Sequence, residues 1–176
     1  MDSRFSRYFS ILAQLEWHDE HNSLDCDPAI KAWLLDSRSL THRLSLYCHH
    51  FRVSLIDQKE RVCTQEMNVE RDSPIALERN VILFGDDMPW VCAQTIIPSQ
   101  TLMASGHNWA EQGETPIGAT IFAASNSKRD QLQIASVTTE DGVLWARRSR
   151  LIMMDHPLYV TELFLSQAPI YSKENN

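Results

Sequence analysis

No stretch of this chain holds the roughly 20 consecutive apolar residues that a membrane-spanning helix needs. The N-terminal run "MDSRFSRYFSILAQLEW" is broken by Arg4 and Arg7 and lacks a small-residue cleavage pattern, so it reads as an amphipathic helix of the fold rather than a leader. Glycine is scarce, with five in 176 residues, and no GxSxG, P-loop or dinucleotide-binding fingerprint occurs. A cofactor-free site is therefore expected. Cys26, Cys48, Cys63 and Cys92 are scattered with no CxxC pair, which fits reduced thiols in a cytoplasmic protein better than a disulfide framework. Positive charge is also short: 16 Lys and Arg stand against 23 Asp and Glu, a net charge of −7. That balance excludes a general nucleic-acid or anionic-membrane surface, while leaving room for a small anion held by one or two local arginines.

The remaining composition, 43% hydrophobic and 22% charged, is that of a soluble globular domain. Two helices follow the N-terminal one. "DPAIKAWLLD" has Asp27 as N-cap, Pro28 at the first helical position and an apolar face through Ile30, Trp33 and Leu34; "SLTHRL" has Ser39 as its cap. The period then changes to two. A strand is expected over roughly residues 44–56, then a hairpin of "ALERNVILFG" and "WVCAQTIIP" around the turn "GDDMP". Residues 99–125 are helical in pattern but divided by Gly106, Gly113, Pro116 and Gly118, the second piece starting near Thr115. "QLQIASVTT", "GVLWARRSRLIMM" and "PLYVTELFL" close the chain as three strands joined at "EDG" and "DHP", and "YSKENN" (171–176) is expected to be a frayed tail. Short turns between consecutive strands make antiparallel neighbours. The expected fold is one α+β domain spanning 1–176, an antiparallel sheet of about six strands with helices packed on it.

Two charged residues sit where apolar ones belong. In "PLYVTELFL", Leu158, Val160, Glu162 and Phe164 share one face of a strand covered on both sides. An unpaired buried carboxylate costs several kcal/mol or more, or takes up a proton. Glu162 is thus either one half of a structural ion pair, with Arg79, Arg148 or Arg150 as partner, or a ligand-binding or catalytic carboxylate whose pKa an apolar pocket raises. In "LERNVILFG", Arg79 shares a face with Val81 and Leu83, opposite Asn80, Ile82 and Phe84. It is either a solvated edge residue or a guanidinium aimed at a carboxylate, whose geometry its planar fork matches. In "WARRSR", Arg148 and Arg150 share one face and Arg147 takes the other with Ser149; the cluster reads as a solvated edge or as neutralising a second substrate carboxylate. His18 and His21 of "HDEH" and the adjacent His49 and His50 match no metal-ligand spacing, so no metal is expected.

"WLLDSRSLTHRL", "RNVILFGDDMPWVCAQTIIP", "TPIG" and "RRSRLIMMDHPLYVTELFL", in that order from about Pro28 to Tyr171, resemble the chorismate pyruvate-lyases. The resemblance implies removal of pyruvate from chorismate to give 4-hydroxybenzoate for ubiquinone synthesis. It also implies an antiparallel sheet with a buried ligand site under helical flaps, a cytoplasmic monomer and no cofactor. It assigns Arg79 to the ring carboxylate and Glu162 to the ring hydroxyl. Leu40 and Ile117 fall at flap positions where backbone groups face the ligand and where the family carries methionine and leucine. Gln94 stands where an arginine can occur. The rival readings are a non-catalytic hydroxybenzoate carrier, a lyase giving an isomeric product, and a sensor module of related fold. Against the sensor, residues 1–45 hold five Lys and Arg against seven Asp and Glu, with no basic recognition helix.

Overall fold

A computed structural model describes residues 3–19, 25–62, 75–106, 108–111, 113–115, 117 and 128–172. Cys63, His21, Pro116, residues 118–125 of the expected second helical piece and the last four residues lie outside them. The elements run α1 (Ser3–Leu12), β1 (His18–Asp19), α2 (Pro28–Leu34), α3 (Leu40–Ser45), β2 (Phe51–Val62), β3 (Ile75–Gly85), β4 (Met88–Pro98), α4 (Ser99–Ser105), β5 (Lys128–Thr139), β6 (Gly142–Met153) and β7 (His156–Phe164). Short 3-10 turns occupy Trp109–Glu111 and Pro169–Tyr171. The strands form one antiparallel sheet in the order β1-β5-β6-β7-β4-β3-β2. Two three-stranded meanders, β2-β3-β4 and β5-β6-β7, are thus joined through the β4–β7 pair. The α+β expectation holds, with a seventh strand added by the two-residue β1 at the edge.

Local chemistry accounts for the boundaries. The Asp27 carboxylate accepts from Ala29 N at 2.8 Å and the Ser39 hydroxyl from His42 N at 3.3 Å, so both expected caps form. Gly106 closes α4 in the left-handed region at φ 60°. The first strand begins at Phe51 rather than near residue 44, because α3 runs to Ser45 and Leu46 and Tyr47 continue its last turn with bonds to Arg43 and Leu44 carbonyls. The hairpin turns are also tighter than "GDDMP" and "DHP" suggest. Asp86 and Asp87 (φ 45° and 66°) form one two-residue turn, and Met154 and Asp155 (φ 51° and 65°) the other, as the right-handed strand twist favours. Pro89, His156 and Pro157 already belong to strands. Gly85 is needed for space: a Cβ there would lie 2.0 Å from the Trp90 ring.

The two sheet faces bury different cores. On one, α1 lays Phe5 and Leu12 against Ile82, Phe84, Cys92, Ala135, Leu144, Ala146, Leu163 and Leu165. On the other, α2 and α3 bring Trp33, Leu34, Leu40 and Leu44 down on Val53, Val81, Leu83, Ala93, Trp145 and Phe164. Leu34, Leu44 and Phe164 are fully buried, each contributing roughly 1.5–3 kcal/mol. Further along this second face Ile97, Trp109, Leu151, Met153, Leu158 and Val160 form a separate cluster. Tyr171, expected to open the frayed tail, is instead anchored: its hydroxyl donates to Phe164 O at 3.1 Å and accepts from Trp145 N at 2.8 Å, and burial pushes its pKa up to about 12.

Candidate active site

Between the α2/α3 core and the Trp109 cluster the second face leaves a pocket. Its apolar lining is Leu40, Val53, Val81, Leu83, Ala93, Ile117, Leu151 and Val160; its polar lining is Thr41, Arg79, Thr95, Arg129 and Glu162. Strand register explains why these side chains meet. Arg79 lies opposite Thr95, which lies opposite Val160; one pleat further along, Val81, Ala93 and Glu162 form the next row. With strands about 4.8 Å apart and residues about 3.4 Å apart along a strand, Arg79 and Glu162 start about 12 Å from each other at their Cα atoms. They face each other across a floor of Ala93, Thr95 and Val160. The four positions assigned from sequence, Leu40, Arg79, Ile117 and Glu162, are all brought to this pocket.

Arg79 is 2% exposed. Its guanidinium donates to Gln58 Oε1 at 3.0 Å, to Gly113 O at 2.6 Å and to Thr115 O at 3.4 Å. These acceptors are all neutral, and no carboxylate among the described residues pairs with it. Burial pulls its pKa below the ordinary arginine value, with no anion among the described residues to offset the loss of hydration. The solvated-edge reading is therefore wrong: this is a buried cation with no counter-charge among the described residues, on the wall of an apolar pocket. Its bonds to Gly113 and Thr115 also fasten the segment that carries Ile117.

Glu162 is 5% exposed and already paired, but with neither Arg79, Arg148 nor Arg150. Arg147 Nε donates to Glu162 Oε2 at 2.5 Å, and Arg129 Nη1 stands 3.8 Å from the same oxygen. Arg148 and Arg150 lie on the opposite face, bonded to Gln133 and Asp130. The expectation of a raised pKa also fails. Burial pushes the Glu162 carboxyl up, but the Arg147 and Arg129 charges and the Arg147 hydrogen bond outweigh it, leaving the group below the usual carboxylate range.

Arg147 is the pin of the site. It is fully buried, and its Nη1 donates to Trp33 O, Leu34 O and Asp36 O at 3.1, 3.4 and 2.7 Å. Those carbonyls close α2, where a helix end welcomes positive charge. Arg147 thus ties Glu162 to the corner from which α3 starts, and α3 begins with Leu40 and Thr41 over the pocket. The corner is stiffened by Asp36, which pairs with Arg38 and Arg43, and by Arg43 stacked 3.7 Å from the Trp33 ring centroid. The Arg38 bonds hold the Asp36 carboxyl down at about 2, against the opposing effect of burial.

Gln94 faces away from this pocket; its Nε2 donates to Asn80 Oδ1 on the α1 side of the sheet at 3.2 Å. His18 sits in the edge strand, and Asp86 accepts from the backbone N–H groups of His49 and His50. Among the described residues no three His, Cys, Asp or Glu side chains gather as a metal site. Arg129 is the charged pocket residue that sequence reasoning passed over, along with the polar Thr41 and Thr95. By simple alternation from Ile134 it belongs on the α1 face. A one-residue bulge reverses its parity: Asp130 pairs with Arg150 and Gln133 with Arg148, and Gln131 takes φ 48°.

Residues 11–176 match the family model described as chorismate lyase. A probable chorismate pyruvate-lyase of Aliivibrio fischeri is 41% identical over 94% of this chain and 93% of its own length. That of Vibrio cholerae is 38% identical over 99% of both. The chorismate pyruvate-lyase of Pectobacterium atrosepticum is 38% identical over 92% of this chain and 90% of its own. Among solved structures, the effector domain of PhnF from Mycobacterium smegmatis superposes with a TM-score of 0.56 over 74% of this chain and 90% of that domain, at 12% identity. A possible transcriptional regulator of Bacillus subtilis, YydK, reaches 0.51 over 79% of this chain and 68% of its own, at 11% identity. At such identities the likeness is one of fold. The sequence matches, by contrast, extend over nearly the whole chain and include every strand of the pocket: this chain belongs to the chorismate lyase family.

Proposed function

We propose that this protein is a chorismate pyruvate-lyase that needs no cofactor, with Arg79 and Glu162 reading the two ends of the substrate ring. The observation that carries the reading is the buried Arg79 guanidinium, held among the described residues by neutral oxygens alone, across an apolar pocket from a buried carboxylate. Chorismate presents the complementary groups: a ring carboxylate at C1 and a hydroxyl at C4, para to each other. Arg79 takes the carboxylate, and Glu162 accepts from the hydroxyl. Leu40 and Ile117 close the pocket from the α3 side and the 113–117 side.

The reaction is redox-neutral. The C3–O bond to the enolpyruvyl group breaks, the C4 hydrogen leaves, and the ring becomes aromatic, so the driving force resides in the substrate. The protein has to hold the ring, exclude water and orient the ether, and such positioning supplies several kcal/mol. Glu162 can remove the C4 proton as a base or only position the hydroxyl. Its pairing with two guanidiniums makes it a weak base and supports the second role. In that route the C4 hydrogen passes within the substrate to the enolpyruvyl methylene while the C3–O electrons form the ketone of pyruvate. The atoms of chorismate then divide between 4-hydroxybenzoate and pyruvate with none added. The product would serve ubiquinone synthesis in the cytoplasm, from a monomeric enzyme.

Arg79→Ala tests the assignment through the product. Loss of a charge-assisted bond worth about 1.5–3 kcal/mol weakens 4-hydroxybenzoate binding by roughly 10- to 100-fold in titration calorimetry. Unchanged affinity would remove Arg79 from the site.

A further inference from the structure

Chorismate carries a second carboxylate, on the enolpyruvyl group, and on the reading above neither Arg79 nor Glu162 is available to it. The pocket holds one more cation. Arg129 lines it, with a side chain only 4% exposed. One of its nitrogens is occupied, Nη1 donating to Ser149 Oγ at 2.7 Å, but its Nε is buried with no hydrogen-bond partner among the described residues. An orphaned charged donor in an apolar interior is costly, and such groups call for an explanation. The Glu162 carboxylate, at 3.8 Å, compensates charge without making that bond. Arg147 Nη2 is also unpartnered, yet Arg147 is absent from the pocket lining and already anchored by Glu162 and three carbonyls.

Placement decides which group Arg129 meets. Arg79 enters from β3, and Arg129 enters from β5, beyond Glu162 on β7 and with β6 between. The two cations therefore approach from opposite sides, and Arg129 reaches the end of the pocket that holds Glu162. In chorismate the enolpyruvyl ether is on C3, adjacent to the C4 hydroxyl and meta to the C1 carboxylate, so it lies nearer the hydroxyl end of the ring. A substrate clamped by Arg79 and Glu162 thus has its side chain at the Glu162 end.

We propose that Arg129 binds the carboxylate of the enolpyruvyl group, through its free Nε and the adjoining edge of the guanidinium. This inference rests on the chorismate reading of the pocket. Burial lowers the Arg129 pKa to about 10, so it remains a cation at neutral pH. Fixing that carboxylate restricts rotation about the ether and holds the methylene near the C4 hydrogen, the geometry that internal transfer requires. It also separates substrate from product, because 4-hydroxybenzoate lacks the group. On release of pyruvate the Arg129 contact goes, while the ring stays between Arg79 and Glu162.

The test measures steady-state kinetics and product binding on wild type, Arg129→Gln and Arg129→Lys. The proposal expects kcat/KM for chorismate to fall by roughly 10- to 100-fold in Arg129→Gln, the loss of one charge-assisted contact, while the dissociation constant of 4-hydroxybenzoate changes less than about threefold. Arg129→Lys keeps the charge, loses the fork, and recovers part of the loss. Wild type prefers chorismate over its side-chain monoester, and Arg129→Gln loses that preference. Product affinity falling in parallel with kcat/KM, or a retained preference for the free acid, would overturn the proposal and leave Arg129 as support for Glu162. Wild type that does not turn chorismate over would instead refute the reading on which the inference rests. Intact product binding also shows that the variant is folded.

Discussion

Removing the charge of Glu162 should destabilise the fold as well as slow the reaction. Glu162 lies between Arg147 and Arg129, at 2.5 and 3.8 Å, in a site with almost no solvent. Taking one member from a buried ionic cluster leaves uncompensated charge and costs about 3–5 kcal/mol. In Glu162→Gln the amide oxygen still accepts from Arg147, which puts the cost near about 3 kcal/mol. At a urea m-value of about 2 kcal/mol per molar, the unfolding midpoint then falls by roughly 1.5 M. The cause is excess positive charge, so adding Arg129→Met to that variant should recover part of the loss, by removing the cation with fewer other partners. The assay is equilibrium urea denaturation of the two variants and wild type, followed by far-ultraviolet circular dichroism. A Glu162→Gln midpoint within about 0.3 M of wild type, or a further fall in the double variant, would refute the ionic-cluster reasoning.

The depressed Glu162 pKa also bears on the reaction: no acid limb in kcat is expected between about pH 5 and 8, and deuterium placed at C4 should appear in the pyruvate methyl group. A limb near pH 6, or deuterium lost to solvent, would favour general-base removal. Asp36 has a folded pKa of about 2, below the value of 3.8 normal for aspartate, so its contribution to stability is complete above about pH 4 and vanishes as pH falls towards 2. Asp36→Asn should remove on the order of 1–2 kcal/mol at pH 7 and flatten stability over that acid range, as read from urea midpoints at pH 2.5, 4 and 7.

What could be read from sequence follows the regularity of each strand. Arg79 and Glu162 occupy stretches whose alternation is unbroken, so their shared face with Val81, Leu83 and Val160 was visible in the residue pattern. Caps at Asp27 and Ser39 act over two or three residues and were equally plain. Partners were harder. Alternation separates Arg147 from Arg148 and Arg150, but its ties to Glu162 and to Trp33 O, Leu34 O and Asp36 O cross 15 to 114 residues. Arg129 was hidden by the bulge between Asp130 and Gln133, where one extra residue moves a side chain to the other face. The β2 start differs from the expectation because Leu44, Leu46 and Cys48 alternate acceptably for a strand, while α3 and its closing turn claim Leu44 and Leu46. The low pKa of Glu162 could not be foreseen without knowing that two cations, rather than apolar groups alone, surround it.

The most direct test of the account is to incubate purified, metal-stripped protein with chorismate and identify products against a no-enzyme control. The account predicts equimolar 4-hydroxybenzoate and pyruvate, formed over many turnovers. No product above the spontaneous background, from protein that still binds 4-hydroxybenzoate, would contradict it and make the pocket that of a carrier or sensor.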